Sequence, residues 1–540
     1  MHAAIDMRRF PWIRPLVAAY ASEFASVGPL FAGNPASPEA WRDTIARVSR
    51  GPRDRAQVEQ ALSRQLDQRG APQEARTAAR RLADPSAVAV LVGQQAGLFG
   101  GPLYVLLKAI TAIQMARRLE LEHRVPAVPV FWVDSEDHDW AEVRTATVLD
   151  EHFAPLPVTA QDVPGAGRHP VGSLVLGSDI AAACSHLEQA LAPSEFTADT
   201  LAVIRAWYRP GSAMGAAFAG LLDRLLGPHG LVVYDAADPA LKPLSGPVFV
   251  RELEVPGRTA ALVREAGERM QALGHAPQVE PAEDSVALFY LDGEGRRPIR
   301  RRGADFAIGD RTWTAAELRA EAVAHPEHFS PNVLLRPIVQ DTLFPTVCFV
   351  AGPSELAYQA QLGGVYGAFG VEPPILQSRA SATLMDAAAI RFLDRSQLPL
   401  EAFHAQDDAA LNRLLESLLP PDVDRAIAEA GDVAAERLRA LSGPVARIDP
   451  TLTGALETTE LRIRETLGTL QNKIVQAAKR KDETLRRQFS RTRALAFPNG
   501  QPQERTLSLP FFLNRYGLQL PDRLLEILPL DTGKHYVVQL

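Results

Sequence analysis

Residues 87–92, Ala-Val-Ala-Val-Leu-Val, form an unbroken apolar run followed at once by Gly93-Gln94-Gln95-Ala96-Gly97-Leu98-Phe99-Gly100-Gly101-Pro102. A strand with one wet face alternates apolar and polar residues. A continuous run must be covered on both sides, as in a parallel sheet flanked by helices. Leu103, Leu106, Leu107, Ile110, Ile113 and Ala116 then recur at helical spacing, so the segment predicts strand, glycine-rich loop and helix in succession. Residues 129–133, 231–235 and 346–350 repeat the apolar run and predict further strands. The fold class expected is α/β, an open parallel sheet with helices on both faces.

The chain of 540 residues exceeds the roughly 250–300 that one hydrophobic core supports, so more than one folding unit is expected. The α/β core is expected over 1–383, interrupted by insertions of different texture near 150–225 and 250–330. In the second insertion a hairpin runs into Arg296-Arg297 and Arg300-Arg301-Arg302, read as a solvated strand or turn. Strand patterns vanish over 384–500. There Ile463, Leu467, Leu470, Ile474 and Ala477 step 4-3-4-3, the seam of a coiled coil, implying an antiparallel helical hairpin or a dimer arm; a plain bundle is the alternative. Gly443-Pro444 is expected to break the preceding helix, and Pro498-Asn499-Gly500 to end the arm. The tail, 501–540, carries Leu507, Leu509, Phe511, Phe512, Leu513 and Tyr516 and is expected to return to the core.

Charge narrows the function classes. With 57 Lys and Arg against 64 Asp and Glu, the net charge of −7 provides no global field for a polyanion, so no nucleic-acid partner is expected. The apolar stretch 125–133, broken by Pro126 and Pro129, is far too short to span a bilayer, and no membrane association is expected. Arg8-Arg9 and the short apolar segment 16–19 imitate a secretory signal, but Pro15 interrupts its start. Cys184 and Cys348 form no C-x-x-C, which argues against a disulfide framework and a zinc site and fits a reducing, cytoplasmic setting.

Three segments carry chemistry. In the first, Gly93, Gln94, Gln95, Gly97, Gly100 and Gly101 permit close backbone approach, and the helix behind them directs N–H groups at the loop, which suits a phosphate or carboxylate. The spacing matches neither common nucleotide fingerprint, and a purely structural turn is the alternative. Lys108 shares a helical face with Tyr104 and could bring a cation to the same anion, or snorkel to the surface. In the second, Glu136-Asp137-His138-Asp139 closes a predicted strand at the sheet edge where ligands bind. Strand alternation pairs Glu136 with His138, or Asp137 with Asp139. His138 tuned by Glu136 could take a proton from an amine, and the carboxylates could hold Mg²⁺ on a nucleotide; a solvated helix cap is the plain reading. No permanent metal site is expected. In the third, Arg336 and Asp341, then Ser354 and Glu355 after a strand, and Arg379 further on, could hold a carboxylate or sugar hydroxyls, with Ser354 capping a helix as the plain reading.

Taken together these motifs resemble one family. Gly93-Gln94-Gln95-Ala96-Gly97-Leu98-Phe99 with Gly101-Pro102-Leu103-Tyr104 and Lys108-Ala109-Ile110, then Pro129-Val130-Phe131-Trp132 with Ser135-Glu136-Asp137-His138-Asp139, resemble the bacillithiol biosynthesis cysteine-adding enzymes, the BshC family. The blocks Arg336-Pro337 and Gly352-Pro353-Ser354-Glu355, the helical arm and the apolar tail follow in the expected order. The resemblance implies a Rossmann-like core with connecting insertions, a coiled-coil domain used for homodimerisation, and a cysteine ligase joining cysteine to glucosaminyl malate in the last step of bacillithiol synthesis. Asp134 departs from the small or apolar residue expected there and lengthens the acidic cluster. Amide formation from free ions is uphill in water, so ATP, leaving as ADP or AMP, is the expected driver. Lys108 and Arg336 would offset transition-state charge. Two rival readings remain: a nucleotidyl transferase and a non-catalytic coiled-coil scaffold.

Overall fold

The structure is a computed structural model that describes residues 1–417, 421–481, 483–531 and 533–540. It comprises two compact units: Met1–Leu384 with Pro502–Leu540, and Met385–Gln501.

The first unit is built on five parallel strands: β1 (Val88–Gln94), β2 (Ala127–Val133), β3 (Val232–Asp235), β4 (Thr346–Ala351) and β5 (Ile375–Ser378). β1 is buried throughout except at Gln94, and β2 throughout, as continuous apolar runs require. Their spatial order is 3-2-1-4-5, with Val92 beside Phe131 on one side and Val350 on the other. This is the Rossmann arrangement, whose order reverses between β1 and β4 and leaves a crevice at the strands' carboxyl ends. The helix α1 (Leu103–His123) crosses from β1 to β2 and buries Leu106, Leu107, Ile110 and Ile113.

Two long crossovers depart from a minimal Rossmann fold. Between β2 and β3 lie a hairpin (Thr145–Leu149 with Pro155–Thr159) and the helices Ile180–Ala190, Thr197–Trp207 and Met214–Leu226. Between β3 and β4, the helices Lys242–Glu254 and Arg258–Ala272 precede a five-stranded antiparallel sheet containing Ser285–Asp292, Gly295–Arg302 and Phe329–Pro331. The chain then returns through α2 (Arg336–Leu343), and α3 (Pro353–Gln359) follows β4. Buried Glu252 ties these pieces together: its carboxyl accepts from the Thr259 hydroxyl at 2.5 Å and from the Ala287 N–H at 2.8 Å. Within the same unit, the terminal strand Lys534–Gln539 pairs antiparallel with Ala3–Asp6, and the Gln503 side chain bonds both the N–H and the carbonyl of Leu384.

In the second unit the helices Pro421–Ile448 and Thr453–Lys481 run antiparallel, with Gln471 donating to Asp424 at 2.9 Å and Arg439 facing Glu460. The expected break at Gly443-Pro444 does not occur: Pro444 lies inside the helix. Proline there forfeits one backbone bond near the helix end, a local loss that helix pairing outweighs. Of the seam residues, Ile463, Leu467 and Ile474 are half-buried whereas Leu470 and Ala477 are exposed, so the 4-3-4-3 face is only partly covered within the hairpin. The helix Glu483–Ala496 ends in a turn at Pro498–Gly500, with Asn499 in the left-handed region.

Candidate active site

The carboxyl ends of the parallel strands open into a cleft of about 570 Å³ at the switch point. Gly93, Gln94 and Gln95 enter it from β1, Asp134, Asp137 and His138 from the turn after β2, Gly352, Ser354 and Glu355 from the passage between β4 and α3, and Arg379 from the end of β5. Tyr104 and Lys108 reach in from α1, one helical turn apart.

Lys108 is the deepest cation. Its ammonium donates to the Gly93 carbonyl at 2.9 Å and to Gln94 Oε1 at 3.0 Å, and lies 2.6 Å from Glu355 Oε2, with its side chain only 4% exposed. Burial depresses its pKa, Glu355 opposes that, and the guanidinium groups of Arg379 and Arg336 depress it further. An incoming phosphate or carboxylate would relieve that repulsion. Arg336 pairs with Asp134, which accounts for the unexpected acid at that position. Arg379 is buried and pairs with Glu504 at 2.6 Å. Gln95 Nε2 donates to Asp137 Oδ2 at 2.7 Å and to Glu142 Oε2 at 2.9 Å, so the loop after β1 and the turn after β2 meet directly.

Several expectations are corrected. The glycine-rich loop serves the cleft only through its first half. The N–H of Gly97 bonds the Gln95 carbonyl, that of Gly101 bonds Leu98, and that of Gly100 is taken by the Gly97 carbonyl and the Tyr208 hydroxyl. The Leu103 N–H at the start of α1 is taken by the Leu507 carbonyl. Gly97, Gly100 and Gly101 therefore offer no free donors to an anion. Their role is packing: a Cβ on Gly97 would lie 2.9 Å from the Gly101 Cα, and Gly100, at φ +91°, would press on Leu509.

The segment 134–139 is a turn, so strand alternation does not apply. Glu136 points into the interior and pairs with buried Lys242, which also donates to the Phe329 carbonyl at 2.6 Å; it does not line the cleft. Asp139 is exposed and caps the short helix Trp140–Val143 by accepting from the Glu142 N–H, the plain reading of that residue. The adjacent Asp137 and His138 face the cleft instead. Burial alone would raise the Asp137 carboxyl, but its contacts with His138, Gln95 and Arg296 outweigh that and hold it well below the usual carboxylate range.

Asp341 also lies outside the cleft. It is buried, accepts from the Tyr366 hydroxyl at 2.6 Å, and burial pushes its carboxyl up to about 7. Gln340 occupies the place expected of it, because Arg336 and Gln340 are i and i+4 on one face of α2. That spacing was available in the sequence. Ser354 faces the cleft but caps nothing: α3 starts after Gly352, whose N–H bonds Glu355 at 2.7 Å.

The residue most at odds with expectation is Arg296. Rather than a solvated hairpin arginine, its side chain is 8% exposed and lies 3.7 Å from the centroid of the Phe289 ring, beside Asp137 and His138. Its neighbours Arg300, Arg301 and Arg302 are exposed as expected. Nothing in the spacing of the run distinguishes its first member, because the inserted sheet's placement over the cleft is a tertiary fact. Asn332 from the same insertion and Arg505 from the C-terminal segment also line the cleft.

Sheet order and cleft define a Rossmann-like protein with a pocket of closely set cations and carboxylates at its switch point, roofed by an inserted antiparallel sheet. Residues 3–380 match the N-terminal Rossmann-like domain of bacillithiol biosynthesis BshC, and residues 382–540 match its C-terminal coiled-coil domain. The chain therefore belongs to the BshC family. A Salinibacter ruber protein is 35% identical over 533 residues, covering 97% of this chain and 96% of the relative. A Koribacter versatilis protein is 34% identical with 88% of each chain covered, and one from Solibacter usitatus is 33% identical over 93% of this chain and 92% of its own. All three carry the name "Putative cysteine ligase BshC".

Proposed function

We propose that the cleft ligates L-cysteine to glucosaminyl malate, forming the amide that completes bacillithiol. The relatives' name supplies the reaction class, and the observation that carries the reading is Lys108, a buried ammonium crowded by Arg336 and Arg379 at the switch point. Such a cluster suits a substrate that brings more than one negative charge, as a malate moiety and a nucleotide both do. Activation of the cysteine carboxyl by ATP makes the condensation downhill, and Arg336 and Lys108 are the groups to oppose charge developing on the activated carboxyl or its leaving phosphate. Mg²⁺ would travel with the phosphates and needs few protein ligands; the convergence of Asp137 and Glu142 on Gln95 offers carboxylates at the cleft for it.

A homodimer through the helical arm is part of the same reading. Leu470 on the seam and Leu441, Leu461 and Ile448 elsewhere on the hairpin are exposed apolar side chains, more than a solvated arm needs. Sedimentation equilibrium of the full chain should give twice the chain mass, and a monomer at micromolar concentration would remove the dimer from the proposal.

The reaction is tested by incubating the purified chain with cysteine, glucosaminyl malate and Mg-ATP and analysing products by mass. Bacillithiol formed together with ADP or AMP is the expected result. Pyrophosphate release without an amide would establish the nucleotidyl-transferase alternative, and a thiol pool that persists in cells carrying Lys108→Met but not in cells lacking residues 445–500 would establish a scaffold.

A further inference from the structure

Arg296 is held too firmly to be a substrate clamp. Its Nε donates to the Ser330 hydroxyl at 2.9 Å, Nη2 donates to the Pro331 carbonyl at 3.0 Å, and the guanidinium carbon lies 3.7 Å from the Phe289 ring centroid. The remaining nitrogen, Nη1, lies 3.3 Å from His138 Nδ1 and 3.6 Å from Asp137 Oδ1. A guanidinium stays protonated throughout the working pH range and can only donate. The ring nitrogen it meets must therefore present a lone pair, which leaves the proton of a neutral imidazole on Nε2.

The competing partner is Asp137, whose Oδ1 lies 3.5 Å from the same Nδ1 and whose lowered carboxyl an Nδ1–H would also favour. That oxygen already accepts the His138 backbone N–H at 2.8 Å, and Oδ2 accepts from Gln95 at 2.7 Å. A proton on Nδ1 would trade the shorter contact for the longer one and point one N–H at another. Nε2 has no protein partner among the described residues, and the ring lines the cleft.

We propose that Arg296 is a positioning residue that fixes His138 as the Nε2–H tautomer, so that the imidazole enters the reaction as a hydrogen-bond donor to a substrate oxygen and not as the base that takes the amine proton. A neutral imidazole held this way stabilises negative charge where it develops, such as on the carbonyl oxygen of an activated carboxyl, without itself changing protonation state. The identity of that oxygen rests on the ligase reading; the tautomer does not. The inserted sheet thus contributes to the chemistry through a residue that never has to touch substrate.

The test is nitrogen NMR of the full chain labelled with ¹⁵N-histidine, the His138 signals being identified by their loss in His138→Gln. Wild type and Arg296→Lys should show Nδ1 unprotonated and Nε2 protonated. Arg296→Met, which keeps an aliphatic stem over Phe289 but has no donor, should move the proton to Nδ1, and Asp137→Asn should leave the wild-type pattern unchanged. A proton on Nδ1 in the wild type, or a tautomer that changes with Asp137→Asn but not with Arg296→Met, overturns the proposal. In the amide-forming assay, His138→Gln retains a donor and should keep kcat within about tenfold of wild type, whereas His138→Ala should lose about 100-fold or more at similar KM. Equal losses in both variants would show a base and refute the donor role. Absence of amide product from wild type would defeat the ligase reading while leaving the spectroscopic result to decide the tautomer.

Discussion

Replacing Lys108 by Met separates the structural and the functional work of the deepest cation in the cleft. The change removes an ammonium that is 2.6 Å from Glu355 and leaves that carboxylate without its counter-charge. Breaking a buried pair from one side costs about 3–5 kcal/mol. Glu355 is 20% exposed and keeps the Gly352 N–H at 2.7 Å, which places the expected loss near the lower end, about 3 kcal/mol. Glu355→Gln should cost a comparable amount by stranding the ammonium. The double variant Lys108→Met/Glu355→Gln should recover most of either loss, since no buried charge is then unpaired and the glutamine oxygen can still accept from Gly352. Urea unfolding of the four proteins, followed by tryptophan fluorescence, would then give a coupling energy of about 5 kcal/mol, the two single losses less the small residual loss of the double variant. The restored stability should not restore anion binding: losing a charge-assisted contact of about 1.5–3 kcal/mol weakens the affinity for pyrophosphate or ATP about 10- to 100-fold in calorimetry. Additive stability losses would refute the pairing argument, and wild-type anion affinity in the double variant would remove Lys108 from the site.

Three further outcomes follow from residues that the structure places outside the cleft. Glu136→Ala should destabilise the chain by about 3–5 kcal/mol by stranding buried Lys242, and the double variant with Lys242→Met should regain most of it; a loss of activity in that double variant at full stability would return Glu136 to the catalytic residues. Asp341, raised to about 7, keeps its proton in the folded state where the unfolded chain has lost it, so its contribution to stability falls as pH rises from about 4 to about 7. Asp341→Asn should remove that part of the slope, at most about 4 kcal/mol across the window, and an unchanged pH–stability curve would contradict the assignment. Gly100→Ala, at φ +91° and 2.9 Å from Leu509, should cost about 1–3 kcal/mol in stability while leaving anion affinity intact; the reverse pattern would reinstate the second half of the loop as a ligand cradle.

The parts of the molecule that could be read from the sequence are those in which a local pattern and a burial requirement coincide. β1, β2 and β4 are continuous apolar runs because both faces of a parallel sheet are covered, and the loops after them converge because the strands are neighbours with a common direction. The cleft's address was thus contained in the order of the runs. Which side chains occupy it was legible only in part: Lys108, His138, Arg336 and Arg379 line it as expected, whereas Glu136 and Asp341 do not. Glu136 and Asp137 are adjacent acids in one turn, and only the position of Lys242, 106 residues away, draws the first inward and leaves the second at the cleft. Arg296 is one arginine among several until the inserted sheet sets Phe289 beneath it and His138 beside it. Periodicity and composition are properties of a chain segment, so the sequence by itself determined the layers and the edge at which they open. Charge pairing and tautomer depend on contacts between segments far apart in the chain, and only the tertiary structure decided those.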